Sequence, residues 1–435
     1  MATLSDLAVE IAGDIKGRAP AVHTHTQAQV DGLVAALAGK QDATPIDDAD
    51  YVYAITDEAD RVGFGVTAQG ETFLRRTDTA DVSEVHAFIL AGQSNMSGRA
   101  RPFTGRDIPD RRVFQYGAKR RVVERATVPL DMHDAPAGMS YATVFAREYL
   151  RRMPEGVAVL LIPAAHGGTG FTSTTENPAP AGYSTHAGGT WQVGYTASSV
   201  NLYDEMLTQT TEALTAAQET FGVPASVKAM LWHQGESDAM NGVTGTDYGT
   251  HMRALIDGVR AHVGDSRLPV VMGGMSPDWM AGYPAARPIH LAHAGLLLSR
   301  SNTAFTPGSS GMGRFGDEIH YGLDGIEDLG VRSVRGLLAA IANHADFPIA
   351  PTPLVTAKRV ANTVTVTWEQ PLCRVSHYKL EYRIDGGSWV RVSFPNTHLR
   401  EAAIANVPDG TCEVRIGTDY LGTVAWSAPV IAYGG

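Results

Sequence analysis

The chain has 435 residues, 44% of them hydrophobic and 19% charged, which excludes a disordered protein and exceeds one ordinary domain. A formal net charge of −11 excludes nucleic acid as the main partner, because phosphate binding needs basic surface. The only cysteines, Cys373 and Cys412, lie near the C-terminus, so no disulfide framework or cysteine-based zinc site holds the centre together, and no stretch has the length and apolarity of a membrane span.

The N-terminus lacks the basic region and long apolar core of a secretory signal, so action outside a cell would require another route. Leu4, Leu7, Ile11 and Ile15 recur at helical spacing. A helix this short cannot bury an apolar face alone and is expected to pack against its own copies or a larger particle. His23-Thr24-His25-Thr26, then Gln29-Val30-Asp31-Gly32-Leu33 and Ala36-Leu37-Ala38-Gly39-Lys40, resemble a segment frequent in bacteriophage tail proteins. That resemblance implies a homotrimer, other tail proteins as partners and a place in the virion. His23 and His25, at i and i+2, share one side of an extended strand, where three chains would supply six imidazoles to a metal. The competing reading is two solvated histidines beside a linker. Residues 1–45 are thus expected to be an oligomerising attachment segment. Residues 46–83 form a small β segment, because 51–73 alternates apolar and polar residues between Asp and Gly punctuation.

From 84 to 346 strand and helix patterns alternate. Strands are expected at 85–91, 157–164, 227–232 and 269–275, and helices at 141–152, 201–221, 248–263 and 325–343. Strands that are apolar throughout and separated by amphipathic helices imply a parallel sheet covered on both faces. The segments after the strands are polar and glycine-rich: Gly92-Gln93-Ser94-Asn95-Met96, His166-Gly167-Gly168-Thr169, and His233-Gln234-Gly235-Glu236-Ser237-Asp238. Gly316-Asp317-Glu318-Ile319-His320-Tyr321 precedes the last helix. These segments gather at one edge of the sheet, where open α/β folds place ligands.

A serine hydroxyl is a weak nucleophile until a base removes its proton. Ser94 is the expected nucleophile, His320 the general base and Asp317 the group that orients it. Ser94 N–H, the backbone N–H of Gly168 and the side-chain amide of Gln234 are the expected oxyanion donors, with neighbouring Gly167 competing for the glycine role. No cofactor is needed for this chemistry. Gln93, Asn95, Trp191 and Glu236 are expected at the substrate, and the long segment 170–200 is expected to shape the acceptor pocket. Trp191 has packing as its alternative. Glu236 and Asp238 have anchoring of the Gln234 loop as theirs. His166, His233, His290 and His293 lack metal-like spacing with carboxylates and read as structural or pocket-lining.

The four motifs, in this order, resemble the SGNH (GDSL-like) hydrolases, and among them the sialate O-acetylesterase and acetylxylan esterase branch. The resemblance implies a three-layer α/β/α fold with a flavodoxin-like parallel sheet and hydrolysis of O-acetyl esters on sugars. It carries over Ser94, Asp317 and His320 as the triad and Gly168 and Gln234 as oxyanion donors. Much of that group has Phe where this chain has Tyr321.

Phe347-Pro348-Ile349-Ala350-Pro351-Thr352-Pro353 reads as a stiff linker. Residues 351–435 then show short alternating strands separated by turns such as Asp385-Gly386-Gly387, an antiparallel sandwich pattern. Val364-Thr365-Val366-Thr367-Trp368, Tyr378–Tyr382 and Trp426-Ser427-Ala428-Pro429 resemble a fibronectin type III domain. The expectation is a phage tail protein that removes O-acetyl groups from a bacterial surface glycan. The alternatives are a non-catalytic glycan-binding tail adhesin and a bacterial carbohydrate esterase with no phage link.

Overall fold

The computed structural model describes residues 51–56, 62–67, 72–73, 82–101, 109–134, 138–171, 189–196, 200–314, 316–352, 354–393 and 400–434, the first three segments by backbone alone. The helix expected over Leu4–Ile15, the histidines His23 and His25, and most of the segment between Phe171 and Trp191 lie outside these residues. The chain divides into two compact units, Met1–Arg76 and Thr77–Gly435. In the first, β1 (Tyr51–Thr56), β2 (Val62–Thr67) and β3 (Thr72–Phe73) form an antiparallel sheet.

The second unit begins with β4 (Glu84–Gly92) and a single helical turn, α1 (Ser94–Ser97). Then follow β5 (Val113–Tyr116), β6 (Val123–Arg125), α2 (Tyr141–Leu150), β7 (Val157–Pro163), α3 (Leu202–Phe221) and β8 (Ala225–His233). α4 (Glu236–Met240), α5 (Gly245–Val263), β9 (Val270–Gly273), α6 (Pro277–Gly282), α7 (Arg287–Ser299) and β10 (Thr303–Thr306) come next. A two-stranded ribbon, β11 (Gly313–Arg314) with β12 (Asp317–Tyr321), leads into α8 (Leu323–Ala342).

The seven-stranded sheet has the order β10-β9-β8-β4-β7-β5-β6. Six strands are parallel; β6 is antiparallel to β5, so the sheet is mixed rather than wholly parallel. The hairpin occupies the sheet edge, where a turn of a few residues replaces a helical crossover. β5, β6 and β10 were not expected because they are short, and β5 and β6 carry Gln115, Glu124 and Arg125 instead of an apolar run. β4 is central and fully apolar between Ala87 and Ala91. Val85, Ala87, Ile89 and Ala91 enter one core with Leu202, Met206, Tyr248 and Leu255, while Phe88 and Leu90 enter the other with Phe145, Leu329 and Leu337. Period-two alternation thus supplies both faces, which makes three layers. Helix ends follow local chemistry. Asn201 caps α3 by accepting from Tyr203 N and Asp204 N, and Gly222, at φ 71°, ends it in the left-handed region.

Chain progression moves outward from β4 to β5, returns to β7, and crosses to β8 on the other side of β4. β4 is therefore where strand order reverses, and the crevice at its carboxyl end is the expected ligand position.

After the linker, β13 (Val355–Val360), β14 (Thr363–Trp368), β17 (Glu401–Ile404) and β21 (Tyr433–Gly434) form one sheet. β15 (His377–Ile384), β16 (Val390–Val392), β18 (Cys412–Tyr420), β19 (Thr423–Trp426) and β20 (Val430–Ile431) form the other. Alternate residues Val364, Val366 and Trp368 point into the sandwich core with Leu380, Val414 and Ile416. Cys373 and Cys412 are buried there as free thiols. The expected turn is present, with Asp385 at φ 48° and Gly386 at φ 72°. The sandwich packs against the α/β layers: Arg335 pairs with Glu369, and Arg400 donates to the Phe305 carbonyl.

Candidate active site

β4 ends at Gly92, φ 123°, where an added Cβ would stand 2.0 Å from the His233 carbonyl oxygen; only glycine lets the two backbones approach this closely. The chain then turns into α1 with Ser94 as its first residue. The first N–H groups of a helix have no intrahelical acceptor, so the Ser94 N–H is a donor without a backbone partner. Ser94 is 6% exposed.

Ser94 Oγ lies 2.9 Å from His320 Nε2, and His320 Nδ1 lies 2.8 Å from Asp317 Oδ2. An ionised carboxylate only accepts, so it fixes the proton on Nδ1 and leaves Nε2 to accept from the serine hydroxyl. Arg314 Nη1, 3.4 Å from Asp317 Oδ2, adds a second contact to the carboxylate. Asp317 and His320 both sit on β12. The β11–β12 pairing jumps from Gly313↔Tyr321 to Arg314↔Asp317, and this irregularity brings residues three apart to one side.

Asn95 joins the nucleophile turn to the histidine strand. Its Nδ2 donates to Ile319 O at 3.1 Å and to Glu236 Oε1 at 2.8 Å, and its Oδ1 accepts from Tyr321 N at 3.1 Å. The amide therefore bonds the backbone on both sides of His320. Asn95 is 1% exposed and Glu236 is wholly buried, which moves both from the expected substrate contacts to the scaffold. Burial alone would raise the Glu236 pKa. Hydrogen bonding and charge from His233, its own backbone N–H and Asn95 outweigh burial and hold the carboxyl below its ordinary value.

Gln234 also departs from its expected role. Its Nε2 donates to Asp238 Oδ2 at 2.7 Å, with Thr169 O and Gln93 Oε1 both at 3.2 Å, and the residue is 0% exposed. Two hydrogens already face three internal acceptors, so the amide offers nothing to an oxyanion. Its Oε1 lies 2.8 Å from the Tyr248 hydroxyl. Gln93 accepts from Gln234 and from Ser237 N at 3.1 Å, and at 2% exposure is held within the same network rather than at a substrate surface. Asp238 accepts both from Gln234 and from Phe171 N, which matches the anchoring role weighed for it.

The two neighbouring glycines differ in their partners. Gly167 N donates to Asp134 Oδ2 at 3.2 Å, whereas Gly168, at φ 75°, has no acceptor among the described residues. Trp191 is buried, donates from Nε1 to Thr169 Oγ1 at 3.0 Å and packs edge-on against Trp232; it is core, not a platform for a sugar ring. His166, His233 and His293 are buried, as a structural role requires. Burial, with Arg287 and Arg400 nearby, lowers His290 to about 4, and burial chiefly lowers His293 to about 3, so both stay neutral.

Two participants went unnoticed in the sequence. Asp134 binds Arg99, Ser97 Oγ at 3.2 Å and Gly167 N, tying the end of the nucleophile turn to the glycine loop. Tyr248 sits within hydrogen-bond distance of Trp232 Nε1, Gln234 Oε1 and His293 Nε2, and burial raises its pKa well above the ordinary value. Neither belongs to a local motif. The only signal for Tyr248 is its place on the apolar face of α5. Among the described residues, no group of three or more His, Cys, Asp or Glu side chains is placed to hold a metal ion. No helix among them is long and apolar enough to cross a membrane.

Residues 84–338 match the carbohydrate esterase family described as sialic acid-specific acetylesterase. A probable carbohydrate esterase of Arabidopsis thaliana is 25% identical over 270 residues, which are 58% of this chain and 90% of that protein. Its crystal structure superimposes with a TM-score of 0.45 and 22% identity, covering 60% of this chain and 99% of that one. The crystal structure of NanS gives a TM-score of 0.47 and 16% identity, covering 59% and 97%.

Proposed function

Because the chain belongs to the sialic acid-specific acetylesterase family of carbohydrate esterases, we propose that Ser94, His320 and Asp317 carry its ester cleavage and that its substrate is an O-acetylated bacterial surface glycan. The observation that carries this reading is the continuous contact from Asp317 through His320 to Ser94 Oγ.

Ser94 Oγ attacks the acetyl carbonyl carbon while His320 Nε2 takes the hydroxyl proton. Asp317 holds the ring in the required tautomer and stabilises the imidazolium that forms. Negative charge on the carbonyl oxygen is met by the backbone N–H groups of Ser94 and Gly168. The carbon–oxygen bond to the sugar then breaks, and the imidazolium gives its proton to the leaving sugar oxygen. Water, deprotonated by His320, attacks the acetyl-serine, the ester bond to Ser94 Oγ breaks, and His320 returns the proton to Ser94 as acetic acid leaves, which then ionises in solution.

The remaining parts of the reading concern delivery. The His-Thr-His-Thr and Val-Asp-Gly-Leu segments support a phage tail protein, trimeric in the virion, and the C-terminal sandwich supports a fibronectin type III-like spacer or adhesive module. Acetate release from acetylated bacterial polysaccharides, measured for the full chain beside Ser94→Ala, tests the chemistry; equal release by both proteins sinks it. Sizing of the full chain tests the tail assignment, which requires a trimer and fails on a strict monomer.

A further inference from the structure

Outside the catalytic crevice, a cavity of about 530 Å³ lies between the α/β layers and the C-terminal sandwich. That volume falls in the range of small-molecule sites. Its wall contains four guanidinium groups, Arg287, Arg332, Arg335 and Arg400, against two carboxylates, Glu369 and Glu401. Arg332 is neutralised from behind by Asp328 at 2.7 Å and also donates to Ser309 Oγ at 3.0 Å. Arg335 pairs with Glu369. Arg400 has no carboxylate of its own among the described residues: it donates to the Phe305 carbonyl and lies 5.9 Å above the Phe305 ring centre. Burial holds its pKa below the ordinary arginine value against the opposing pull of Tyr378 and Glu369, and the charges of Arg332 and Arg335 add to the depression. A partly buried cation crowded by like charges is an arrangement that an incoming anion relieves.

The other lining groups suit a hydroxylated frame rather than a bare ion. Ser310, Thr356 and Thr367 bring hydroxyl groups to the wall, the last two already in contact with each other. Phe305 and Leu354 add apolar surface, as sugar sites require for the ring faces.

The cavity also adjoins the catalytic strand. Its wall includes Pro307–Ser310, the start of the segment that continues into β11 and β12. Gly308 packs so closely on the Tyr321 hydroxyl that an added Cβ would stand 1.9 Å away, and Tyr321 follows His320.

We propose that this cavity binds an acidic monosaccharide unit, its carboxylate received by Arg400 with Arg332 and Arg335 beside it, and its hydroxyls by Ser310, Thr356 and Thr367. The proposal deepens the carbohydrate-esterase reading and rests on it: an acidic residue of the same glycan would be held here while an acetylated neighbour occupies the Ser94 crevice.

The test uses the full chain and three probes, glucuronate, glucose and sulfate. Glucose differs from glucuronate in lacking the carboxylate, and sulfate supplies charge without the sugar frame. Calorimetry is expected to show saturable glucuronate binding that weakens with added salt and is at least tenfold tighter than for glucose or sulfate. Arg400→Gln should weaken it about tenfold or more, with Arg400→Lys between, because lysine keeps the charge and loses the planar fork. p-Nitrophenyl acetate turnover should stay unchanged in both variants, which separates this site from the Ser94 chemistry. Equal binding of glucose and glucuronate, equal binding of sulfate, or no loss in a folded Arg400→Gln protein would each overturn the proposal. Should Arg400→Gln lower the melting temperature, the wild-type comparison decides alone: glucuronate must raise that temperature and glucose must not.

Discussion

Gln234 donates its side-chain amide to the Asp238 carboxylate at 2.7 Å, and neither residue has any exposed surface. A family motif that points to an oxyanion donor therefore contains, in this chain, a buried strut. The strut holds Gln93, the residue before the nucleophile, through the 3.2 Å contact between their side chains.

The strut predicts a stability phenotype. Asp238→Ala removes the nearest acceptor of the Gln234 amide and strands the Phe171 N–H in the core, a loss on the order of 2 kcal/mol. Gln234→Ala should likewise lower the melting temperature along with kcat. A Gln234→Ala protein that melts like wild type while kcat collapses would restore the donor role.

Asn95 predicts a positional phenotype. Asn95→Ala frees the backbone on both sides of His320 and should reduce kcat about 100-fold, the cost of misplacing a reacting group by roughly 1 Å, with KM little changed. Asn95→Asp sets a carboxylate against Glu236 and should be worse. Adding Glu236→Gln removes that repulsion and should recover part of the loss. Rate constants for these proteins and for Glu236→Gln alone check this; additive losses in the double variant contradict a direct clamp.

Asp317→Asn replaces the acceptor of the His320 Nδ1 proton with a group that also presents N–H, and disfavours the tautomer in which Nε2 accepts. A kcat loss of about 10³- to 10⁴-fold is expected with folding intact. A loss below tenfold at neutral pH would mean that another carboxylate orients the ring.

Acid should act on the protein in two separable ways. Activity falls once His320 Nε2 is protonated and no longer accepts from Ser94; a rate flat from acid to neutral pH contradicts that role. Stability falls for a different reason. His290 and His293 are depressed to about 4 and about 3 in the fold, whereas an unfolded histidine titrates near about 6.5. Between those values the unfolded chain binds more protons, so stability is lost as pH drops through the unfolded value toward the folded ones. Melting temperatures from pH 7 to 4 should decline, and His293→Gln should flatten the decline. An unchanged slope in that variant removes His293 from the account.

Much of this was legible along the chain. The apolar run from Val85 to Ala91 ends in a glycine and a serine, and such a run buries itself as a central strand whatever surrounds it. The two later apolar runs, each ending in Gly-rich polar residues, and an Asp three residues before a His then identified the edge of the sheet and the groups able to exchange a proton. The strands β5, β6 and β10 escaped because a pattern of three or four residues has no period to read.

What tertiary structure alone decided is which polar groups are free. Gly167 and Gly168 are adjacent and alike in sequence, yet only Gly167 N meets Asp134, 33 residues away. Gln234 looks like a donor until Asp238, Thr169 and Gln93 converge on it, and Trp191 looks like a sugar platform until Trp232 covers it. Residue type and local period set what a side chain is able to donate, accept or bury. Whether it still can is settled by partners that reach it from distant parts of the chain, because a hydrogen bond spent on one buried acceptor is unavailable to a substrate.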